Sequence, residues 1–378
     1  MALATTGTAA APAAPAAPAT RVADAGRSTT RAVRSRVPLV MAGLAVALLA
    51  AIVGAIALGS VPIPIGDVVR VLVGVHTDNP AYDTIVWSVR LPRTVTAGFA
   101  GAALGLAGLQ MQTLFRNPLA DPSILGVTAG AGLGVAFVVL AADATGIGLL
   151  SSLGRVGSLG MVGAGALGAA IVLILVLLIA ERVPSRVTVL IVGVMVGYIA
   201  SAVVSVLVSF SSLESIRNYS AWGQGSFRGT TWDQLRVLVP IVALGLVAVR
   251  MLAKPMDALL MGDRYAMSMG VDVRRVRMLT IATSALLAGS VTAFCGPIAF
   301  LGIAVPHLAR LLLRRSSHRE LIPAVVMMGA TLALVCEVVA QLPGSDRVLP
   351  LNAITALIGA PVVIAILLRR GSRREQAA

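Results

Sequence analysis

The sequence predicts an all-α membrane protein with about ten transmembrane helices. Three observations carry that reading. Of the 378 residues, 57% are hydrophobic and only 12% are charged. Apolar runs long enough to span a bilayer, about 20 residues each, recur along the chain. The basic residues also collect on one side of the alternation that these runs impose.

The runs lie near residues 39–59, 94–114, 124–141, 159–180, 188–209, 236–253, 278–295, 298–313, 321–341 and 351–368. Ahead of them stands MALATTGTAAAPAAPAAPAT, an Ala/Pro/Thr tract that cannot build a packed core. Residues 1–37 are therefore expected to be a disordered cytoplasmic tail. A ten-helix domain at 38–370 and a short cytoplasmic tail at 371–378 follow. The first apolar run is too long for a signal-peptide core and is taken as an uncleaved helix.

With the N-terminus inside, 22 of the 30 basic residues fall on the cytoplasmic side, the terminal RRGSRR among them. This asymmetry supports ten helices with both termini cytoplasmic. It also accounts for most of the net charge of +14 without nucleic acid.

Little in the chain suggests chemistry. Cys295 and Cys336 sit in or at the end of apolar runs and read as inert buried thiols. His76, His307 and His318 show no metal-ligand spacing, so no metal site is expected. The single lysine, Lys254, precedes Pro255 rather than Ser or Thr, so the chain lacks a phosphate-binding loop. No nucleophile and base stand together, and no catalytic residue is expected. Glu337 is the one acid well inside an apolar run. It is the feature a proton- or ion-coupled secondary transporter would need.

The second run is the most informative. Gly98, Gly101, Gly105 and Gly108 recur at spacings of 3, 4 and 3, which puts them on one helix face. Small residues let helices approach closely in lipid. Gln110 and Gln112 need hydrogen-bond partners from a neighbouring helix or water. The run ends in RNPLADPSILG, residues 116–126, where Asn117 and Asp121 each precede a proline and are held out of helical conformation. Such a break is either a simple turn or part of a water-filled path.

The stretches RLPR at 90–93, RNPLADPSILG, SAWGQGSFRGTTWDQL at 220–235, GDRYAMSMGVDVRRVR at 262–277, GPIAFLGIAVPHLARLL at 296–312 and LPLNAITALIGAPVV at 349–363 occur in that order. Together they resemble the permease family of type II ABC importers for iron chelates and cobalamin, over residues 38 to 370. The resemblance implies the type II ABC importer permease fold, in a multi-pass protein of the inner membrane. It implies a second permease subunit, identical or paralogous, two ATPase subunits that use ATP and magnesium, and an extracytoplasmic substrate-binding protein. The chain itself would hold no cofactor and act on an iron–siderophore complex, or on cobalamin or haem.

Residue roles follow from the same resemblance. Arg90 and Arg93 read by themselves as helix-end anchors, and by resemblance as docking sites for glutamates of the binding protein. An arginine fork grips a carboxylate at two points. The family's third basic docking position corresponds to Gln341, with Arg347 as the substitute. Asn117 and Leu119 would form the cytoplasmic gate, with Ser185, Arg186 and Val187 as its companion.

Gly262, Asp263, Tyr265, Ala266, Met267, Met269 and Gly270 would form a short coupling helix. Asp263 would cap it and Gly270 would stop it. So short a helix needs a surface to rest on, either the membrane or an ATPase cleft. Tyr198, Ser201, Ser205 and Ser209 form a polar stripe, as do Asn352 and Thr355. Each stripe would either line the translocation path or bond across a helix contact.

Overall fold

The computed structural model describes residues 19–59, 61–77, 79–141, 155–183, 185–342 and 348–375. Helix α1 runs Ala19–Ala57 with Pro38 inside it, so regular structure begins within the segment expected to be tail. Residues 1–18 lie outside the described part. Two short helices follow, α2 at Ile65–Leu72 and α3 at Pro80–Ile85. Asn79 caps α3 by accepting from Ala81 N, the role its short amide suits.

From Pro80 the chain stays helical to Leu114, 35 residues in all. A π turn at Val86–Arg90 joins α3 to α4, Leu91–Leu114. The sequence reading started this helix at residue 94 and put RLPR at its mouth. The structure puts RLPR inside it. Pro92 lacks an N–H and crowds the preceding turn. The wider π turn just before it accommodates that defect without ending the helix.

Helix α4 is the centre of the bundle, and most of its residues are buried. The glycine pattern explains how it fits there. A Cβ at Gly101 would overlap the Gly329 carbonyl, and one at Gly108 would overlap the Gly302 carbonyl. A Cβ at Gly105 would press on Val305 and Val325. Only Gly98 has open space beside it. Three of the four glycines therefore serve close packing.

The remaining elements are α5 (Val127–Ala136), α6 (Arg155–Arg182), α7 (Arg186–Ser209), α8 (Leu213–Gly223) and α9 (Trp232–Met251). Then come α10 (Ala253–Met261), α11 (Asp263–Ser268), α12 (Val273–Cys295), α13 (Leu301–Leu313), α14 (His318–Ala340) and α15 (Leu351–Glu375). A π turn, Phe137–Ala141, extends α5. Helix α15 continues past residue 370, where the C-terminal tail was expected.

Among the described residues, seven helices are long and apolar enough to cross a membrane. Three shorter apolar helices, Val127–Leu140, Leu301–Leu313 and Leu351–Ile364, match the other three expected runs. α14, α13, α12 and α9 pack around α4, and α5 lies against α6. Leu167, Ile171, Ile174 and Leu178 on α6 face outward, as a lipid-facing surface requires.

Candidate functional site

The loop after α4 is built by local capping. Asn117 Oδ1 accepts from Leu119 N at 3.0 Å, and Asp121 Oδ1 accepts from Ser123 N at 2.9 Å. Each is an Asx turn directly before a proline, the chemistry the sequence carries there. A 3₁₀ turn, Pro122–Leu125, leads to Gly126 in a left-handed conformation. Burial pushes the Asp121 carboxyl above the usual carboxylate range, against two hydrogen bonds from Ser123 that pull it down.

Tertiary contacts then fix this loop. His307 Nε2 donates to Pro118 O at 2.7 Å. Arg116 Nη2 donates to Leu259 O at 2.9 Å and to Asp263 Oδ1 at 3.1 Å. Arg116 does so from a left-handed backbone, φ 48°. The helix end above it is fixed too. Gln110 Nε2 donates to Thr283 Oγ1 at 2.6 Å, and Gln112 Nε2 donates to Ile303 O at 3.2 Å.

The loop between α6 and α7 is gripped by α12. Arg274 pairs with Glu181 at 3.0 Å. Arg277 donates to the carbonyls of Ala180 and Val183. Ser185 caps α7 by accepting from Thr188 N at 3.3 Å, and Val187 is exposed. The Arg186 side chain lies outside the described residues.

The short helix α11 has the expected stop, Gly270 at φ 79°. Its start differs from the reading. Gly262, at φ 122°, occupies the cap position, and Asp263 is the first helical residue. This frees Asp263 to reach Arg116. Ala266 is fully buried, whereas Tyr265, Met267 and Met269 are all about half exposed. The helix thus rests on the protein through one small residue and turns its adaptable side chains outward.

The arginines of RLPR do not stand at an open helix end. Arg90 Nη1 donates to Ile56 O at 2.5 Å and Ala57 O at 2.8 Å, and Nη2 donates to Val61 O. Arg93 Nε lies 3.3 Å from Glu337 Oε1, and Arg93 Nη2 donates to Gln341 Oε1 at 2.7 Å. Gln341 Nε2 donates to Glu337 at 3.1 Å. The side chains of Arg93 and Glu337 are 8% and 5% exposed. Removing one partner of such a buried pair strands the other. Glu337, which a coupling-ion site would require, is therefore committed to Arg93. Arg90, Arg93 and Gln341 face a cleft of about 300 Å³ with Gly59, Ile85 and Arg228. Arg347 lies outside the described residues.

The two polar stripes differ. Ser205 and Ser209 donate to carbonyls of their own helix, Ser201 O at 3.0 Å and Val206 O at 2.7 Å. With Tyr198 and Ser201 they lie exposed on α7. Asn352 bonds across a helix contact, accepting from Ala299 N at 3.0 Å and donating to Pro297 O at 2.8 Å. Thr355 is buried and donates to Asn352 O at 3.2 Å. Leu119, Asp121 and Asn352 line one cavity of about 350 Å³. The structure thus brings Leu119, expected at the gate, and Asn352, expected on the path, to a shared space.

The model of the FecCD transport family matches residues 46–369. The chain belongs to that family. The vitamin B12 import system permease protein BtuC of Klebsiella pneumoniae is 34% identical over 288 residues, covering 76% of this chain and 83% of that one. BtuC of Escherichia coli O6:H1 is 33% identical over 293 residues, covering 78% and 86%. A solved inward-facing conformation of a metal-chelate type ABC transporter superposes with a TM-score of 0.75 at 28% identity, over 88% of this chain and 99% of that one. The FecCD protein is thus a multi-pass membrane permease of an ABC importer, a transport subunit that works with ATPase and binding-protein partners. Sequence reasoning missed the Arg116–Asp263 contact, Arg228 and the grip of α12 on the second loop. These partners lie far apart in sequence and leave no local spacing to read.

Proposed function

We propose that the chain is one of two permease subunits of an inner-membrane importer for an iron–siderophore complex, with both termini cytoplasmic. An extracytoplasmic binding protein delivers the cargo. Two ATPase subunits, using ATP and magnesium, seat on α11 and drive the cycle. Asn117 and Leu119, with Ser185 to Val187, close the inner end of the path. The α7 stripe and Asn352 line it. Alternation between discrete packed states then moves the cargo across.

The observation that carries this reading is the reach of one segment. Residues 263–277 touch the first cytoplasmic loop through Asp263 and the second through Arg274 and Arg277. A force applied to α11 therefore bears on both loops. The exposed stripe on α7 supports a second permease subunit, because hydroxyl groups facing a path need a partner wall. The neighbouring structure of a metal-chelate type transporter supports a chelate as cargo. Vitamin B12 is the second reading, favoured by the BtuC relatives.

Two measurements test the proposal. A tagged permease purified in mild detergent should carry an ATPase subunit. Cells lacking the chain should lose uptake of a radiolabelled ferric siderophore and keep uptake of labelled cobalamin. The opposite pattern of uptake would make cobalamin the cargo. Purification without any ATPase would remove the importer assembly.

A further inference from the structure

Gly98 is the one glycine of the α4 row that no neighbour fills. It opens onto a groove of about 300 Å³. Four helices line that groove: α1 through Leu48 and Ile52, α4 through Val95 and Gly98, α9 through Leu246 and α14 through Ala330. Thr94 brings the one polar side chain among the described lining residues.

All four helices are long and apolar enough to cross a membrane, so the medium beside the groove is hydrocarbon. Leu48, Ile52, Val95 and Leu246 are half-buried, packed on the core yet open on one side. Protein interiors leave few such gaps, because an unfilled gap forfeits dispersion contacts along its whole lining.

Length and width identify what fills it. Leu91, Val95, Gly98 and Ala102 line the groove at helical spacing. From the first to the last the helix rises about 16 Å. That is half of the roughly 30 Å hydrocarbon core, the depth of one leaflet. The volume spread over this length leaves a bore on the order of 5 Å, too narrow for a helix about 10–12 Å across. A single hydrocarbon chain fits.

The groove also has a marked end. Trp87 stands one turn before Leu91, and Trp232 opens α9. Their rings lie 6.4 Å apart, Trp232 Nε1 donates to Trp87 O at 2.8 Å, and both side chains are exposed. Exposed tryptophans collect at the membrane–water interface. The groove therefore runs from the level of the headgroups to about the middle of the bilayer.

We propose that this groove holds one acyl chain of a membrane phospholipid, bound as a fixed part of the bundle. The acyl chain fills the space that Gly98 leaves and joins α1 and α9 to the same stretch of α4. Such binding needs only a bilayer around the bundle and is independent of the cargo.

The test uses the complex isolated with its partners and set in nanodiscs of phosphatidylethanolamine and phosphatidylglycerol. A trace of phosphatidylethanolamine carries a diazirine near the middle of one acyl chain. After illumination, mass spectrometry compares labelling of residues 91–102 with that of residues 167–178 on the outward face of α6. The groove should be labelled about threefold more strongly or better, the occupancy that about five extra dispersion contacts confer. Gly98→Leu fills the groove from α4 and meets open space. It should bring the labelling down to the level of α6 with the elution volume on size exclusion unchanged. Leu246→Phe fills it from α9 and should do the same, which keeps the test decisive if either variant misfolds. Gly163→Leu, exposed on α6 with open space beside it, should leave the groove labelled. Equal labelling of the two faces in the unaltered complex would overturn the proposal, since the groove would then hold only exchanging bulk lipid. So would strong labelling that survives in folded filling variants. A disulfide between two copies carrying Gly98→Cys, with Cys295 and Cys336 replaced, would give the groove to a second copy of the chain and overturn it as well.

Discussion

Arg116 in the loop after α4 lies 3.1 Å from Asp263 at the start of α11, across 147 positions of sequence. Both side chains are more than 40% exposed, so the pair contributes only about 0–1 kcal/mol to stability. Arg116 holds it from a left-handed backbone that costs a non-glycine residue about 1 kcal/mol or more. A weak pair on a strained residue is a poor staple for the fold. It is a direct strut between α11 and the loop after α4.

Arg116→Ala should therefore leave expression and melting temperature close to the unaltered protein while lowering cargo moved per ATP hydrolysed. The double exchange Arg116→Asp with Asp263→Arg should recover coupling, since Asp tolerates the left-handed region. Proteoliposome uptake measured beside phosphate release gives the ratio. Equal ratios in all variants would show that the contact transmits nothing.

If the first loop is a gate, Leu119 should approach its counterpart across the permease dimer when the path is closed. A cysteine at 119, in a background with Cys295 and Cys336 replaced, should crosslink in one nucleotide state and not in another. Gel mobility after oxidation reads this directly. Shrinking Asn117 and Leu119 to alanine should leak cargo or raise idle hydrolysis. It should not unfold the chain, because Asp121 and the two prolines still set the turn.

The glycines of α4 should separate sharply. Gly101→Val and Gly108→Val drive a side chain into a facing backbone carbonyl, which cannot move aside as a side chain can. Each should cost about 3 kcal/mol or more and lower the yield of folded protein. Gly98→Ala meets open space and should stay within about 0.5 kcal/mol. Thermal unfolding in detergent, followed by size-exclusion recovery, ranks them.

Asp257 gives a pH signature. Its oxygens accept from His318 N at 2.8 Å and from Ser317 Oγ at 3.1 Å, and His318 Nδ1 lies 2.6 Å away. Burial pushes the carboxyl up, but the bonds and charge of His318 with the Ser317 bond outweigh it and hold it below the usual range. A depressed carboxyl contributes stability that is complete above its unfolded pKa, about 4, and is lost as pH falls through the folded value. Asp257→Asn should cost about 1–2 kcal/mol at neutral pH. The figure is modest because the carboxylate is 35% exposed. The gap from the unaltered protein should close below about pH 4, as denaturant titrations at a series of pH values would record.

The bundle was legible in the residues. Apolar runs announce spanning helices because a bilayer demands length and internal hydrogen bonding, both local properties. The loop at 116–126 announced itself the same way, through Asn and Asp before proline, and its Asx turns are there. Gly270 stops α11 as a glycine in the left-handed region does. RLPR misled at the local level, since a proline in a sequence argues for a helix start. Only the π turn reveals that the helix runs through it.

By itself the sequence determined the class, the ten apolar helices in order, the loop chemistry and the family. Those depend on composition, on spacing within a turn or two, and on ordered motifs. The tertiary structure decided which charges are spent and which remain available. Arg90 and Arg93 are drawn inward by carbonyls and by Glu337, while Arg228 is left at the rim and Arg116 reaches Asp263. Such pairings join residues distant in sequence. Their strength depends on burial and on distances of about 3 Å, which spacing along a chain does not encode.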